Sequence, residues 1–247
     1  LDHAVLAIGV GGAGGEAVTH FSALLRDDAG RLPANVALRA YDSADEQFAV
    51  LDPRFGRPVR LEPGVERRNI GRVPMDRIKR AADRHAAMLA RLGPAGLKSI
   101  RRATIDGGAG QNRQEGLATF YWSYPAIAAD LNNTLRALMR RNHDLQSGAA
   151  GGNGLVVILF GSLSGGQGGG TAIDMAFNIR EQVDRAGLGD SCRILAILFT
   201  PDAFPEARGP NMAANTWASL LEWDALMQGA GFEAEYPGGV RLRSSAR

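Results

Sequence analysis

The chain of 247 residues has one cysteine, Cys192, and therefore no internal disulfide and no cysteine-rich zinc centre. Its four histidines, His3, His20, His85 and His143, are scattered at spacings that suit no metal. Long apolar runs are missing too. The longest clean ones, residues 155–160 and 194–199, are strand-sized, whereas a membrane helix needs about 18 residues or more. The start has no basic stretch followed by a cleavable apolar one, which argues against export and for a reducing, cytoplasmic setting. It begins at Leu1 rather than Met, so a trimmed piece of a longer chain is expected.

What remains is globular in composition: 45% apolar and 22% charged, enough for one large domain or two small ones. Glycine is in excess, 32 residues or about 13%, against a usual share near 7%. Charge is uneven. Net charge is +2, yet residues 52–102 hold fourteen Lys/Arg against five Asp/Glu. Such a run reads either as a solvated helical insert or as a contact face for a partner. The pairs Arg67-Arg68 and Arg101-Arg102 suit a subunit contact or an anionic surface, and interleaved aromatics are too few for nucleic acid.

Along the chain, strand-like runs alternate with helical ones. Strands are expected at 4–8, 36–41, 155–160 and 193–199, the last two buried by their unbroken apolar character. Helices are expected at 16–25, 76–92, 114–121, 125–141, 171–186 and 211–227, with Leu92-Gly93-Pro94 stopping the second. Residues 147–154 read as a flexible stretch. Residues 229–247 read as a tail with a turn at Tyr236-Pro237-Gly238-Gly239 and one short strand. Trp217 and Trp223 read as core or interface residues rather than a base-stacking pair. The alternation predicts an α/β fold, a Rossmann-like parallel sheet with helices on both faces. Loops at the carboxyl ends of such strands form the ligand crevice, and the glycine clusters fall there.

The first cluster, residues 9–15, joins a strand to a helix. Gly9, Gly11 and Gly14 satisfy G-x-G-x-x-G, and Asp42 ends the second strand where an acid can hold a ribose. Taken alone this fits a nicotinamide or flavin oxidoreductase. The second cluster, residues 161–171, also joins a strand to a helix, and six of its eleven residues are glycine. A dinucleotide fold needs only one such turn. Two turns suggest a polyphosphate held from both sides by main-chain N–H groups and helix dipoles, together with Mg²⁺, because no P-loop lysine is present. A third glycine loop, residues 106–112, is placed to close over a terminal phosphate. The oxidoreductase reading leaves Gly165–Gly170 unexplained and lacks an obvious catalytic His or Tyr-Lys pair.

Five segments, in order, resemble the tubulin/FtsZ superfamily across almost the whole chain: IGVGGAGGEAV at 8–18, residues 41–46, DGGAGQNRQEG at 106–116, SGGQGGGT at 164–171 and FTPDAFPEARGPN at 199–211. The helix at 211–227 is similar to bacterial tubulin-like proteins outside true FtsZ. The resemblance implies a GTP/GDP-binding protein that uses Mg²⁺ and self-associates into dimers or filaments. It implies a nucleotide-binding domain over 1–228, with 52–102 as a basic insert and 229–247 as a tail preceding an absent central helix and C-terminal domain. The nucleotide-binding residues it implies are Gly9, Gly11, Gly12, Ala13, Gly14, Gly15 and Glu16 in the first loop and Asp42 in the second. The third loop gives Gly108, Ala109, Gly110 and Asn112. The signature gives Ser164, Gly165, Gly166, Gln167, Gly168, Gly169, Gly170 and Thr171, and the ribose loop gives Glu206 and Arg208.

Three departures stand out. Gln167 and Gly169 replace the hydroxyl residues usual in the signature. Glu16 replaces a base-contacting asparagine, although a carboxylate can accept from guanine N1 and N2 groups. The Asn-x-Asp-x-x-Asp set of the family's catalytic loop, supplied by a neighbouring subunit, does not occur here. Binding with poor hydrolysis by this chain alone is expected, and no catalytic residue is assigned. A nucleotide-sensing scaffold is the remaining alternative. For single residues a second role stands beside the first: Asp42, Asp45 and Glu46 suit Mg²⁺ waters, a ribose or a helix start, and Asn112 and Thr171 suit phosphate contact or helix capping.

Overall fold

Residues 4–10 are apolar throughout, which suits a strand covered on both faces. In the computed structural model, which describes residues 3–45, 48–146, 154–206 and 209–244, they form β1 (Ala4–Val10), fully buried at the centre of a five-stranded parallel sheet. The chain then gives α1 (Gly11–Leu25), β2 (Val36–Asp42), the short strands β3 (Val50–Leu51), β4 (Pro58–Val59) and β5 (Arg67–Asn69), and helices α2 (Met75–Arg80), α3 (Ala86–Ser99) and α4 (Arg113–Gln146). β6 (Leu155–Ser162), α5 (Gly166–Arg185), β7 (Cys192–Phe199), α6 (Met212–Met227) and the hairpin β8 (Glu233–Tyr236)–β9 (Val240–Arg243) follow. The sheet order is β5-β2-β1-β6-β7. The expected α/β architecture with a Rossmann-like parallel sheet is observed. Among the described residues no helix is long and apolar enough to cross a membrane.

Alternation sorts β1 between two cores. Leu6, Ile8 and Val10 join Val157 and Leu159 of β6, with Leu131 and Leu135 of α4 and Met175 and Ile179 of α5. Val5 and Ala7 face the other way, with Val18 of α1 and Leu38 of β2. Strand order runs outward from β1 to β2 and β5, then resumes at β6 on the opposite side. The carboxyl ends of β1 and β6 therefore form a topological switch point, where an open α/β sheet has its crevice.

Several local expectations are corrected. The glycine runs are only partly loops: α1 starts at Gly11 and α5 at Gly166, so much of each run is the first turn of a helix. The two helices expected at 114–121 and 125–141 are one, continuous through Pro125. Proline costs a helix interior about 3 kcal/mol, but the buried stripe Phe120, Tyr124, Ile127, Leu131, Leu135 and Leu138 runs across it and outweighs that loss. Gly93 does break the backbone (φ 64°, ψ 171°), yet helix resumes through Pro94 rather than stopping; before it, the expected helix is split into α2, a 3₁₀ turn at Ala82–His85 and α3. The tail holds two strands, with Tyr236 stacked on Tyr124 at 4.1 Å. The stretch expected to be flexible at 147–154 lies outside the described residues except for Gly154.

The unbroken apolar run of β7 predicts burial, and the structure differs. β7 is the sheet edge, and Leu195 and Ile197 are 44% and 45% exposed because α1 packs on β1, β2 and β6 and stops short of them. Helix α6 reverses the usual arrangement. Its buried residues are polar, Asn215, Thr216 and Ser219, while Trp217 and Met227 are 66% and 77% exposed. Trp217 is thus not a core residue.

The basic segment is stitched to the body. β5 pairs with β2, the side chains of Arg39, Tyr41 and Arg68 all donate to Asp130 of α4, and Arg91 forms a two-pronged ion pair with Asp174 of α5. Burial presses the Asp130 pKa upward, but hydrogen bonds from Arg68 and Tyr41 and the charge of Arg39 outweigh it, leaving the carboxyl below its usual range.

Candidate functional site

A cavity of about 380 Å³ opens at the switch point, within the range of small-ligand pockets. Its walls are Val10, Gly11, Gly12, Ala13 and Glu16 on one side and Ser162, Ser164, Gly165, Gly166, Gln167 and Gly168 on the other. Asp42, Ala44 and Phe48 close one flank, Gly107–Gln111 another, and Phe204 and Met212 reach in from the segment after β7. A larger cleft lies between the C-terminal parts of α4 and α5, lined by Arg136, Arg140 and Arg185. Arg185, in the last turn of α5, offsets that helix's dipole there.

The cavity's character comes from its helix ends. Neither Val10 before α1 nor Gly165 before α5 makes a side-chain cap, so first-turn N–H groups other than that of Gly166, which Gly110 O takes, are left for another acceptor. Two such termini side by side make an electropositive, amide-lined floor. Among the described residues no lysine or arginine lines the cavity, and the charged side chains there are the acids Glu16 and Asp42.

Close packing sets the two helix starts. A Cβ on Gly9 would stand 2.3 Å from the Gly14 carbonyl oxygen, and one on Gly14 would stand 2.5 Å from that of Phe160. These glycines let α1 approach β1 and β6 and do not line the cavity. Gly15 lies behind it as well.

The third loop is a run of left-handed glycines, Gly107 (φ 63°), Gly108 (φ 99°) and Gly110 (φ 54°). It is wedged in place: Gly108 N–H donates to Ser43 O (3.2 Å), and Gly166 N–H to Gly110 O (2.8 Å). Among the described residues the N–H groups of Gly107, Ala109, Gly110 and Gln111 have no hydrogen-bond partner. Successive free amides in such a loop form an anion-binding concavity. Gln167 ties the second loop to the helices: Ser43 Oγ donates to its Oε1 (3.2 Å), and its Nε2 donates to Gly116 O (3.4 Å).

Of the expected residues, Gly11, Gly12, Ala13, Glu16, Asp42, Gly108, Ala109, Gly110, Ser164, Gly165, Gly166, Gln167 and Gly168 are brought together. Others have different surroundings. Asn112 caps α4, its Oδ1 accepting from the N–H groups of Gln114 (3.0 Å) and Glu115 (3.4 Å). Thr171 is buried and donates to Gln167 O one turn back (2.7 Å). Gly169 and Gly170 pack against Leu163 O and Arg113 O. Glu206 is exposed and outside the cavity, and Glu46 and Arg208 lie outside the described residues. Sequence reasoning misses Phe48, Phe204 and Met212. Phe48 and Phe204 line the cavity from irregular segments with no periodic pattern to mark them, although Phe204 is an isolated aromatic in a proline-broken loop, and Met212 lines it from the first position of α6.

A family model described as tubulin like matches residues 6–246. No curated protein matches the chain.

Proposed function

This chain belongs to the tubulin-like family, and from that premise we propose that its glycine cleft binds a guanine nucleotide with Mg²⁺ and that the bound nucleotide governs self-association. The carrying observation is the convergence of two helix N-termini without side-chain caps and a glycine nest on one cavity that, among the described residues, has no cationic side chain. That set suits a polyphosphate held by directed amides. The acids present fit a phosphate-borne ion rather than a protein cage: among the described residues no cluster of three or more metal-ligating groups occurs. Mg²⁺ commonly keeps its waters and uses one or two carboxylates plus phosphate oxygens. Asp42 is the buried carboxylate in reach of the cleft, and Mg²⁺ when bound offsets the phosphate charge.

Glu16 accepts from the guanine N1 and N2 groups in this reading, and Phe48 or Phe204 offers an aromatic face for the base. The chain positions the nucleotide but carries no Asn-x-Asp-x-x-Asp set to orient water. Hydrolysis by it alone is therefore slow and requires carboxylates from a neighbouring subunit. A thermal-shift titration tests the reading. GTP with Mg²⁺ at a hundredfold excess over Kd should stabilise the chain by about 2.7 kcal/mol, with NAD(P) inert. Stabilisation by NAD(P) alone reverses the choice in favour of a dinucleotide oxidoreductase.

A further inference from the structure

The third loop is held from behind by an arginine of the basic segment. Arg102 donates from Nη1 to Asp106 O (2.8 Å) and from Nη2 to Gly108 O (2.8 Å), and it pairs with Glu115, which is buried in the first turn of α4. Arg102 does not line the cavity, whereas Gly107–Gln111 do. A trans peptide is planar and carries its C=O and the following N–H on opposite edges. Gripping the carbonyls of Asp106 and Gly108 on one edge therefore turns the N–H groups of Gly107 and Ala109 to the other. Those two amides are among the loop donors that have no partner within the described residues. The glycines at 107 and 108 permit the alternating path that this requires, with φ of 63° and 99°. Arg67 makes a related grip on the second loop, donating to Ala44 O (2.8 Å) and Asp45 O (3.0 Å).

We propose that Arg102 is a positioning residue for anion recognition: its fork fixes the carbonyls of the third loop so that the Gly107 and Ala109 amides face the terminal phosphate of the ligand. The inference rests on the nucleotide reading above. A guanidinium suits the task because its planar fork reaches two acceptors at once, which an ammonium cannot do in a fixed geometry. Glu115 holds the fork from below and cancels its charge, so the arginine contributes direction and not net attraction.

Calorimetric titrations of the wild type, Arg102→Lys and Arg102→Gln with a non-hydrolysable GTP analogue and with GDP, both in Mg²⁺, separate the possibilities. Arg102→Gln should weaken the triphosphate about tenfold, the order of one hydrogen bond to a charged group, and leave GDP nearly unchanged. Arg102→Lys, which keeps the charge and loses the fork, should fall between. Equal loss for both nucleotides, or no loss for either, overturns the inference while the nucleotide reading stands. A wild type that binds neither nucleotide overturns the reading and the inference with it. Thermal midpoints of the ligand-free variants establish that each one folds.

Discussion

The cleft and the segment 52–102 are opposites in composition. Among the described residues one is lined by glycines and two acids with no cationic side chain, while the other holds fourteen Lys/Arg. From sequence, such a run reads as a solvated face or a docking surface. In the structure most of these cations are exposed, as a solvated face would be, yet several bond carbonyls of the body: Arg54 to Ala23 O, Arg57 to Asp28 O, and the half-buried Arg67 to Ala44 O and Arg102 to Gly108 O. Others meet carboxylates on the long helices, Arg68 on Asp130 and Arg91 on Asp174. Two of the fourteen, Arg67 and Arg102, sit one layer behind the cleft loops and hold the backbone there.

The contrast is broken most severely at the glycine floor. Gly14→Val should destabilise the chain by more than about 4 kcal/mol, because even a Cβ there meets the Phe160 carbonyl at 2.5 Å. Gly12→Ala, whose Cβ would stand 3.4 Å from the Phe48 ring, should stay within about 1 kcal/mol. Urea unfolding compares the two, and equal losses would mean that the cleft lacks the rigid floor described above. On the arginine side, Asp174→Ala strands Arg91 and the Tyr236 hydroxyl and should cost about 3 kcal/mol. A near-neutral result by the same method would place Arg91 with surface charges.

Smaller effects sharpen the comparison. Amide-held phosphate should show a shallow salt dependence, with nucleotide Kd rising less than about threefold from 0.1 to 0.5 M KCl, where ion pairs exposed to solvent are screened. A steep slope would reveal a cationic contact. The least effect is expected in acid. The depressed pKa of Asp130 contributes stability above the unfolded-state value near 3.9, and this is lost as pH falls through the folded-state pKa. Thermal midpoints of wild type minus Asp130→Asn should be level above about pH 5 and narrow below about pH 4. A pH-independent difference would show that Arg68 and Arg39 do not hold the ionised carboxylate.

Architecture was largely legible in the sequence because β1, β6 and β7 are apolar runs and hydrophobic periodicity survives into tertiary structure, whereas the edge strand β5, Arg67-Arg68-Asn69, has no apolar residue to mark it. The helix starts were not. Glycine's low propensity marks residues 11–15 and 166–170 as loop, yet packing against neighbouring backbone makes them helical. The passage of α4 through Pro125 was hidden because local proline chemistry says nothing of a buried stripe on both sides. In the site, backbone-lined walls were readable from glycine clustering. Phe48, Phe204 and the carbonyl grips of Arg67 and Arg102 were not, since long-range contacts of loop residues leave no period. The exposure of β7 escaped because apolar sequence records a demand for cover and not its source.

Helix α6 extends that point. Beyond Met212 at its start, its inner residues reach the site through polar bonds, Asn215 to Gln111 O (2.9 Å) and Ser164 O (3.0 Å), and Ser219 to Leu163 O (3.3 Å). Its outward stripe of Trp217, Leu220, Leu221 and Met227 stays in water. One rod thus carries the oily stripe on its outer side and, on its inner side, the bonds that hold two walls of the cleft, so whatever covers the stripe rests on the same element that frames the ligand's walls.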